Sequence, residues 1–385
     1  MLGWLCLAVV LSLSAWFSAT AVAPDITRAL SLGSGASAWL TNGVQLGFVT
    51  GALIASLINL PDIVAMHRLA AVSAALAALA NAALLMEPGL GGAVACRFAT
   101  GFALAGVYPP AMKLAATWFR KSRGLALGFV IGALTAGSSL PHLFRGLTAA
   151  LDWRIVVELA SFCGFIGAAL FLLVVREGPY PFARTVFDPR QIGHVFRNRD
   201  LMLVNAGYLG HMWELYALWA WLLAYLTAAP AGFAAGAGSL PTFAALAAGI
   251  IGCLAGGVLA DRFGRAVTTA GMMLVSGSAA LAIGFVFDGP TWALMLVVII
   301  WGISVIGDSA QFSAAATELT DRHLVGTALS LQMGMGFALT GISIWLMPQL
   351  AAWFGSWRWT FLFLAPGPFL GALAMLRLHR RNATT

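Results

Sequence analysis

Charged residues are scarce in this sequence of 385 residues. Asp, Glu, Lys and Arg make up 9% of it, whereas hydrophobic residues make up 61%, and the mean hydropathy is +0.90. A soluble globular protein has about 25% charged residues, so this composition excludes an ordinary soluble domain. A membrane-spanning helix needs about 20 apolar residues, which leaves room for twelve such helices and their loops. The composition therefore predicts a polytopic helical membrane protein.

The patterns typical of metal-binding, disulfide-linked and catalytic proteins are also missing. The four cysteines, Cys6, Cys96, Cys163 and Cys253, lie far apart in apolar stretches and form no CxxC pair. They are expected to be buried as small hydrophobic residues. No ATP-binding loop (GxxxxGK followed by Ser or Thr) and no GxSxG sequence occurs, and no His, Asp and Glu group has metal-site spacing. We therefore expect no cofactor, no metal and no enzymatic activity.

The apolar runs predict an all-α membrane protein. They are continuous rather than alternating, which disfavours the strands of a membrane barrel and favours helices. Twelve runs are bounded by charges or by Pro and Gly clusters. They cover residues 3–23, 37–60, 69–86, 91–116, 124–143, 155–175, 201–226, 238–260, 267–287, 292–316, 325–348 and 358–377.

The positions of Lys and Arg predict the orientation of these spans, because cytoplasmic loops carry an excess of both residues. With both termini in the cytoplasm, 16 of the 21 Lys and Arg residues fall on the cytoplasmic side. The net charge of +7 then reflects topology and indicates no nucleic-acid partner. The longest polar stretch, 177–200, is interpreted as a cytoplasmic linker between a bundle of six helices at 1–176 and a second at 201–385. The localisation expected is the bacterial inner membrane, as a multi-pass protein.

An internal repeat supports this division. Three landmarks recur in the same order about 200 residues apart, which indicates duplicated and pseudo-symmetric halves with a site between them. The pairs are Asp152-Trp153-Arg154 with Ser356-Trp357-Arg358, Arg123-Gly124-Leu125-Ala126 with Val325-Gly326-Thr327-Ala328, and Asp62 with Asp261.

The loop after the eighth span carries a family resemblance. The run from Gly256 to Arg265, GGVLADRFGR, resembles the cytoplasmic loop signature of the Major Facilitator Superfamily. Arg97 and Gly101 are similar to an intramembrane pattern of the same family. The resemblance implies two helix bundles that expose a central cavity to each side of the membrane in turn.

The same resemblance implies a cytoplasmic gate. Its second-half residues are Gly257, Asp261, Arg262, Gly264 and Arg265, where the acid and the arginines are expected to form a charge cluster. The first-half counterpart keeps Asp62 and Arg68 but lacks the glycines, so a symmetric gate is not expected.

Few ionisable side chains fall inside the spans, and each is a candidate functional group because burying a charge in the bilayer is costly. They are Arg97, His211, Glu214 and Asp308, with His142 and Glu158 nearer the outer ends of the fifth and sixth spans. His211 and Glu214 are three residues apart on one helix face, together with Tyr208. A carboxyl group and an imidazole in a wet cavity can exchange protons near neutral pH, as proton coupling requires. The alternative is a static clasp, in which Glu214 pairs with Arg97 or Asp308 shares hydrogen bonds.

Further polar and aromatic residues are candidates for a solute cavity. Gln311 follows Asp308 in the tenth span, and the others are Gln332, Asn42 and Gln45. Hydrogen bonding between helices is the competing interpretation for these side chains. The aromatic residues of the seventh span, Trp213, Tyr216, Trp219 and Trp221, are expected to pack and anchor the helix, and Trp213 or Tyr216 could stack on a flat solute.

These observations predict a secondary transporter that moves a small solute by alternating access, using protons. The expected partners are the solute, protons and membrane lipids, and the expected state is a monomer. Within the superfamily, the sequence resembles the group that includes carriers of cyanate and other small anions. Arg97 would be the only fixed cation available to bind such an anion. Two acids and a histidine would equally suit a cationic or a neutral solute. A membrane sensor or scaffold without transport and a lipid flippase of the same fold remain open.

Overall fold

The computed structural model describes residues 1–33, 35–58, 60–119, 123–148, 152–180, 189–230, 233, 238–321 and 324–382. Within these ranges the regular structure is helical and contains no strand. Residues 1–176 are called the first half below, and residues 201–385 the second half. The first half contains α1 Leu2–Leu13, α2 Ser18–Ala21, α3 Ala23–Ala29, α4 Ala36–Leu57, α5 Leu60–Ile63, α6 Met66–Ala82, α7 Gly89–Leu104, α8 Tyr108–Trp118, α9 Arg123–Leu147 and α10 Trp153–Leu173.

The linker and the second half contain eight further helices in the described ranges. They are α11 Ile192–Arg197, α12 Arg199–Ala228, α13 Ser239–Phe263, α14 Arg265–Ala282, α15 Thr291–Gly307, α16 Ser309–Glu318, α17 Val325–Phe354 and α18 Pro366–Asn382. Short 3₁₀ turns cover Ala83–Met86, Pro189–Gln191 and Thr360–Leu364.

Among the described residues, nine helical stretches are long and apolar enough to cross a membrane. They match nine of the predicted runs. The stretches are Ala36–Leu57, Met66–Met86, Gly89–Trp118, Gly124–Leu147, Trp153–Leu173, Ser239–Phe263, Thr291–Glu318, Val325–Phe354 and Thr360–Asn382. The remaining three runs correspond to α1–α3, α12 and α14.

Three of the predicted runs are interrupted rather than continuous. The first breaks after α1, the fourth between α7 and α8, and the tenth at Asp308 between α15 and α16. Proline in the first turn of α8 favours a new helix start there, because it lacks the backbone N–H that a continuing helix needs. Each break leaves backbone polar groups that other elements must satisfy.

The linker marks one face of the molecule. Three contacts join helix ends to it and a fourth reaches Arg176 directly before it. We call this side the linker face and the other side the opposite face. The contacts run from Met66 N to Glu177 Oε1 (2.9 Å), from Trp118 Nε1 to the Arg176 carbonyl (2.9 Å), from Asn198 Nδ2 to the Leu319 carbonyl (2.8 Å) and from Arg381 Nε to Asp200 Oδ1 (2.6 Å).

Close helix contacts recur in the two halves. Glycine allows a backbone approach that any Cβ would block. Glycines allow this close approach between α4 and α7 in the first half and between α13 and α15 in the second half. Each residue of the second-half contacts stands 201 positions after its first-half counterpart. In the first matching pair, a Cβ on Gly101 would lie 1.9 Å from the Val44 carbonyl, and a Cβ on Gly302 would lie 1.9 Å from the Ala245 carbonyl. In the second pair, a Cβ on Gly51 would lie 2.5 Å from the Phe102 carbonyl, and a Cβ on Gly252 would lie 1.8 Å from the Ile303 carbonyl.

Ion pairs on the opposite face recur in the same way. Arg154 pairs with Glu87 at the end of the third run, and Arg358 pairs with Asp288 after α14, at 2.6 Å. The residue two positions before each arginine accepts a hydrogen bond from the arginine's backbone N–H. These residues are Asp152 (2.9 Å) and Ser356 (3.1 Å). Contacts repeated in this order are what duplicated halves would produce.

The two halves meet along two helix pairs, α9 with α13 and α4 with α17. The α9–α13 pair is in contact at both of its ends. On the linker face a Cβ on Gly124 would lie 3.8 Å from Asp261 Oδ1, and on the opposite face one on Gly146 would lie 2.6 Å from the Leu240 side chain. In the α4–α17 pair, Asn42 Nδ2 donates to the Gly341 carbonyl at 3.3 Å.

Candidate functional site

Glu214 lies on α12 with its carboxyl group inside the second half. Trp301 Nε1 of α15 donates to Glu214 Oε1 at 2.7 Å, and Ser276 Oγ of α14 donates to Oε2 at 2.8 Å. The residue is 1% exposed. Both oxygens of the carboxyl group therefore have neutral donors, and these come from helices far away in the sequence.

His211 and Asp308 meet one turn of α12 from Glu214, towards the linker face. His211 Nδ1 lies 2.9 Å from Asp308 Oδ1, and both side chains are buried. Despite this short distance, the geometry is not that of a hydrogen bond, and Asp308 Oδ1 has no hydrogen-bond donor among the described residues. His211 Nε2 has no partner among them either. The contact is therefore a close approach of two ionisable groups at the α15–α16 break, where Asp308 ends one helix and precedes the next.

Side chains of the second half surround these groups in this conformation, and the wet cavity expected from the sequence stays a prediction. The Phe312 ring lies 5.5 Å from the His211 ring and 5.9 Å from the Tyr208 ring, and Trp301 binds Glu214. The reason is the direction of the helix face, because His211 and Glu214 point towards α14–α16 and not towards the first half. The structure therefore places two buried polar sites one turn apart inside the second half.

Arg97 on α7 is fully buried and is bound inside the first half. Nη1 donates to the Ala15 carbonyl at 3.0 Å and to Asn81 Oδ1 at 2.9 Å, and Nη2 donates to the Trp16 carbonyl. Nη1 also lies 3.3 Å from Ser18 Oγ. The carbonyls belong to the break after α1, so the guanidinium group replaces the helical hydrogen bonds that the break removes. The structure does not bring Arg97 and Glu214 together.

Six aromatic side chains form a cluster where the halves meet, and we call it the aromatic cluster. α4 and the break after α1 contribute half of it, and α12 and α17 the other half. The members are Trp16, Phe17, Phe48, Tyr216, Trp219 and Phe337. Ring centroids are 4.7 Å apart for Trp16 and Phe48, 4.7 Å for Phe48 and Phe337, 5.9 Å for Trp16 and Tyr216, and 5.9 Å for Phe17 and Trp219.

The sequence predicts little of this cluster. It indicates Tyr216 as a possible stacking residue, but no pattern distinguishes Trp16, Phe48 and Phe337 from other aromatic residues. The available signal is an aromatic residue near the middle of each run that contributes to the cluster. Such residues are common in apolar helices, and their spacing in the sequence does not indicate that they contact one another. Trp213 and Trp221, in contrast, donate to the carbonyls of Phe363 and Ile344 and hold helices of the second half together.

The remaining cavity candidates fall into two groups. Gln332 Nε2 donates to Asn205 Oδ1 at 2.9 Å, and Gln311 accepts from Arg265 Nη1 at 2.7 Å. These two glutamines connect helices of the second half. Asn42 and Gln45 instead lie on α4 at the junction of the halves, where both polar atoms of the Gln45 side chain have no partner among the described residues.

A narrow cleft lies between α4 and α17. Its cavity volume is about 20 Å³, room for about one water molecule, and it ends at Phe337 of the aromatic cluster. Its lining is mostly apolar and includes Val49 and Met333, with Ser56 and Ser330 among the polar members. Among the described residues, this cleft extends to the junction of the halves beside the aromatic cluster.

The predicted gate residues are separated rather than clustered. Arg265 binds Glu318 at 2.6 and 2.8 Å, Arg262 lies over the Phe263 ring at 5.1 Å, and Asp261 lies against Gly124 of the other half. Gly264 turns the chain between α13 and α14 with a φ of +83°, a conformation that favours glycine. A charge cluster of Asp261 with both arginines is therefore not formed, because Arg265 is bound by α16.

The other gate positions give less information. Gly257 faces the start of α9, where a Cβ would lie 3.9 Å from the Gly124 carbonyl. Arg68 is exposed at the start of α6. The Asp62 side chain lies outside the described part of the structure.

The family model of the Major Facilitator Superfamily matches residues 5–342. The chain belongs to the Major Facilitator Superfamily. It is therefore a multi-pass membrane protein and a secondary transporter, not an enzyme. No match was found among curated proteins.

Several solved structures of the superfamily share the fold. A bacterial homologue of the human lysosomal transporter Spinster is similar in its inward-facing unoccupied form, with a TM-score of 0.74, 16% identity and coverage of 98% of this chain and 97% of that one. Its inward-facing occupied form has a TM-score of 0.72, 15% identity and coverage of 98% and 96%. A variant of the Escherichia coli fucose:proton symporter FucP has a TM-score of 0.69, 13% identity and coverage of 98% of both chains. At these identities the likeness shows the fold alone.

Proposed function

We propose that this superfamily member couples the movement of a small solute to protons, with Glu214 as the coupling group. The observation that carries the proposal is the set of partners around the Glu214 carboxyl group. Within the described ranges these partners are Trp301 and Ser276, both neutral. A buried carboxylate beside a cation would remain ionised, whereas one with neutral donors can alternate between its protonated and ionised forms. This arrangement favours proton exchange over a static clasp with Arg97.

The second titratable site extends this proposal. His211 and Asp308 lie one turn away, at the break between α15 and α16. The contact joins α12 to the point where α16 begins. We therefore propose that a change in this contact alters the break in α15–α16 and helps to open the linker face.

Twelve membrane spans in two bundles of six helices are part of the proposal, with the bundles at 1–176 and 201–385 and a linker at 177–200. The glycine contacts repeated at 201 positions, and the ion pairs repeated about 200 positions apart, support duplicated halves. The junction of α9 with α13 and of α4 with α17 supplies the surfaces that would rock against each other during alternating access.

The orientation and surroundings follow from charge and exposure. The excess of Lys and Arg on the linker face supports a cytoplasmic location for that face and for both termini, in a bacterial inner membrane. Large apolar side chains on the outer surface, among them Phe162, Phe285 and Trp292, are 63–73% exposed and would contact lipid. We propose a monomer as the transporting unit.

The test compares Glu214→Gln with the wild type in proteoliposomes, after a thermal-shift screen of small acids, bases and neutral compounds has identified a solute. Gln keeps an oxygen for Trp301 but cannot bind a proton. We expect Glu214→Gln to lose solute uptake driven by a pH gradient while retaining exchange of labelled for unlabelled solute.

Glu158→Gln is the matched control, because Glu158 is exposed on α10 and is expected to leave uptake unchanged. Unchanged gradient-driven uptake by Glu214→Gln would reject Glu214 as the coupling group. No transport by the wild type over the whole panel would favour a membrane sensor, and movement of lipids alone would favour a flippase.

A further inference from the structure

Several polar atoms at the junction of the halves are buried without a partner. They are Trp16 Nε1, Trp219 Nε1, Asn42 Oδ1 and both polar atoms of the Gln45 side chain, and the residues are 0–6% exposed. Leaving one buried donor or acceptor unpaired costs about 1–3 kcal/mol, and most such groups in proteins are paired. A group of them in one place therefore indicates a binding partner.

Two of these atoms belong to rings of the aromatic cluster, and the others lie on α4 within two turns of Phe48. Trp16 packs on Phe48 of α4, and Gln45 lies one helical turn before Phe48. Asn42 precedes Gln45 by a further turn and already bonds to α17 through its Nδ2. Trp219 faces Phe17 across the junction at 5.9 Å. Both halves thus contribute unpaired polar atoms and ring faces to the same region.

The described carboxylates and the arginine of the membrane interior are directed elsewhere, and the His142 ring on α9 is buried without a partner among the described residues. Arg97 gives its Nη donors to the first break and to Asn81, and Glu214 and Asp308 face the interior of the second half. A charged solute in the aromatic cluster would lose its hydration without gaining an opposite charge, which is costly. For a cation, attraction to a ring face offsets only about 2 kcal/mol of that cost. A neutral solute with hydroxyl or carboxamide groups would instead satisfy Gln45 and the indole N–H groups.

We infer that the solute is an uncharged polar molecule that binds between Gln45 and Trp16 of the first half and Trp219 of the second. It carries hydroxyl or carboxamide groups on a compact skeleton, one face of which is apolar. The carboxamide of Gln45 both donates and accepts, whereas each indole only donates. The rings of Trp16, Phe48 and Tyr216 would cover the apolar face. This inference rests on the proposed function, because it names the solute class of that transport.

The cleft between α4 and α17 leads towards this binding region, and it would have to widen to admit a solute. It ends at Phe337, which touches Phe48 and Tyr216, and Val49 in its wall is one turn from Gln45. Separation of Phe337 from Phe48 would join the cleft to the unpaired polar atoms.

The experiment measures binding and transport by the purified full-length protein. Neutral probes are monosaccharides, polyols and nucleosides; anionic probes are monocarboxylates and phosphate esters; cationic probes are alkylammonium ions. We expect stabilisation and transport with a neutral probe, and about tenfold weaker binding by Gln45→Leu, which removes the hydrogen bonds of the side chain.

Two comparisons make this test specific. An analogue that lacks the hydroxyl bound by Gln45 should bind the wild type more weakly than its parent but bind Gln45→Leu as well as the parent does. Thr50→Val is the matched control on the same helix, because the Thr50 hydroxyl donates to the Leu46 carbonyl at 2.8 Å and should leave binding unchanged. If Gln45→Leu does not fold, Trp16→Phe keeps a ring and removes only the indole donor.

Three results would overturn the inference. Transport of charged probes alone would reject the solute class while leaving the proposed function intact. Unchanged binding of the neutral probe by both Gln45→Leu and Trp16→Phe would reject the site. Absence of transport for every class would reject the proposed function and the inference together.

Discussion

Arg97 is a buried cation whose partners are backbone carbonyls and neutral side chains. Its guanidinium group reaches the carbonyls of Ala15 and Trp16 together with Asn81, and Asn81 in turn donates to the Val157 carbonyl and to Ser161. Several donors in a fixed plane suit this task, which the single ammonium group of Lys would not perform. Arg97 therefore stabilises the break after α1 and positions Trp16 in the aromatic cluster.

Replacing Arg97 with Met should destabilise the protein. The change removes the donors to the Ala15 and Trp16 carbonyls and to Asn81, and the Ser18 hydroxyl can satisfy only one of these acceptors at a time. Each acceptor left unpaired costs about 1–3 kcal/mol, so we expect a clearly lower midpoint of thermal unfolding. Arg97→Lys should recover only part of the loss. Arg377→Met, at an exposed position on α18, should unfold at the wild-type temperature. Wild-type stability of Arg97→Met with weakened binding of anions would instead assign Arg97 to the solute site.

At the residue scale the sequence predicts which groups are unusual but not what they contact. A carboxyl group in the middle of an apolar run singles out Glu214 without any structure. Its partners Ser276 and Trp301 are an ordinary serine and tryptophan far along the chain, so no local pattern could identify them. The direction of Glu214, into the second half and away from the junction, depends on how α12 is rotated, and a helix without a strongly one-sided apolar face does not reveal this.

Glycine determines how closely the helices approach. In α4–α7 and in α13–α15 the backbone of one helix lies where a Cβ of the other would be. The apolar pattern predicts the existence and length of most helices, because twenty apolar residues in lipid must pair their backbone groups internally. It does not predict the breaks after α1 and at Asp308, because side chains and carbonyls from other helices stabilise them.

The glycine contacts should be sensitive to a single methyl group. Gly302→Ala would place a Cβ 1.9 Å from the Ala245 carbonyl, and Gly101→Ala would do the same against Val44. We expect each to lower the stability by about 1–3 kcal/mol, because the helices must separate. Gly271→Ala on α14 is the control, since a Cβ there meets nothing within 4 Å. Equal thermal stability of Gly302→Ala and Gly271→Ala would contradict the close packing.

At the scale of the whole molecule, the halves are in contact at both ends of the α9–α13 pair. Gly124 and Gly257 meet on the linker face, and Gly146 and Leu240 meet on the opposite face. Alternating access requires each of these contacts to separate while the other remains closed. The repeat in the sequence predicts two related halves, but their closed arrangement depends on many contacts between positions far apart in the chain.

The most direct test of alternating access is to fix either end of this pair with a disulfide, in a background without the four native cysteines. Leu125→Cys with Gly257→Cys fixes the linker face, where a Cβ on Gly257 would lie 4.0 Å from the Leu125 Cα. Gly146→Cys with Leu240→Cys fixes the opposite face. Both pairs are close enough for the Cα separation of about 4.4–6.8 Å that disulfides adopt.

The measurement is solute uptake into proteoliposomes before oxidation, after oxidation and after reduction, with each single-cysteine variant as its control. The account predicts that either disulfide stops uptake and that a reductant restores it, while the single-cysteine variants are unaffected. Uptake at the reduced rate by protein that is fully cross-linked at both ends would contradict the account.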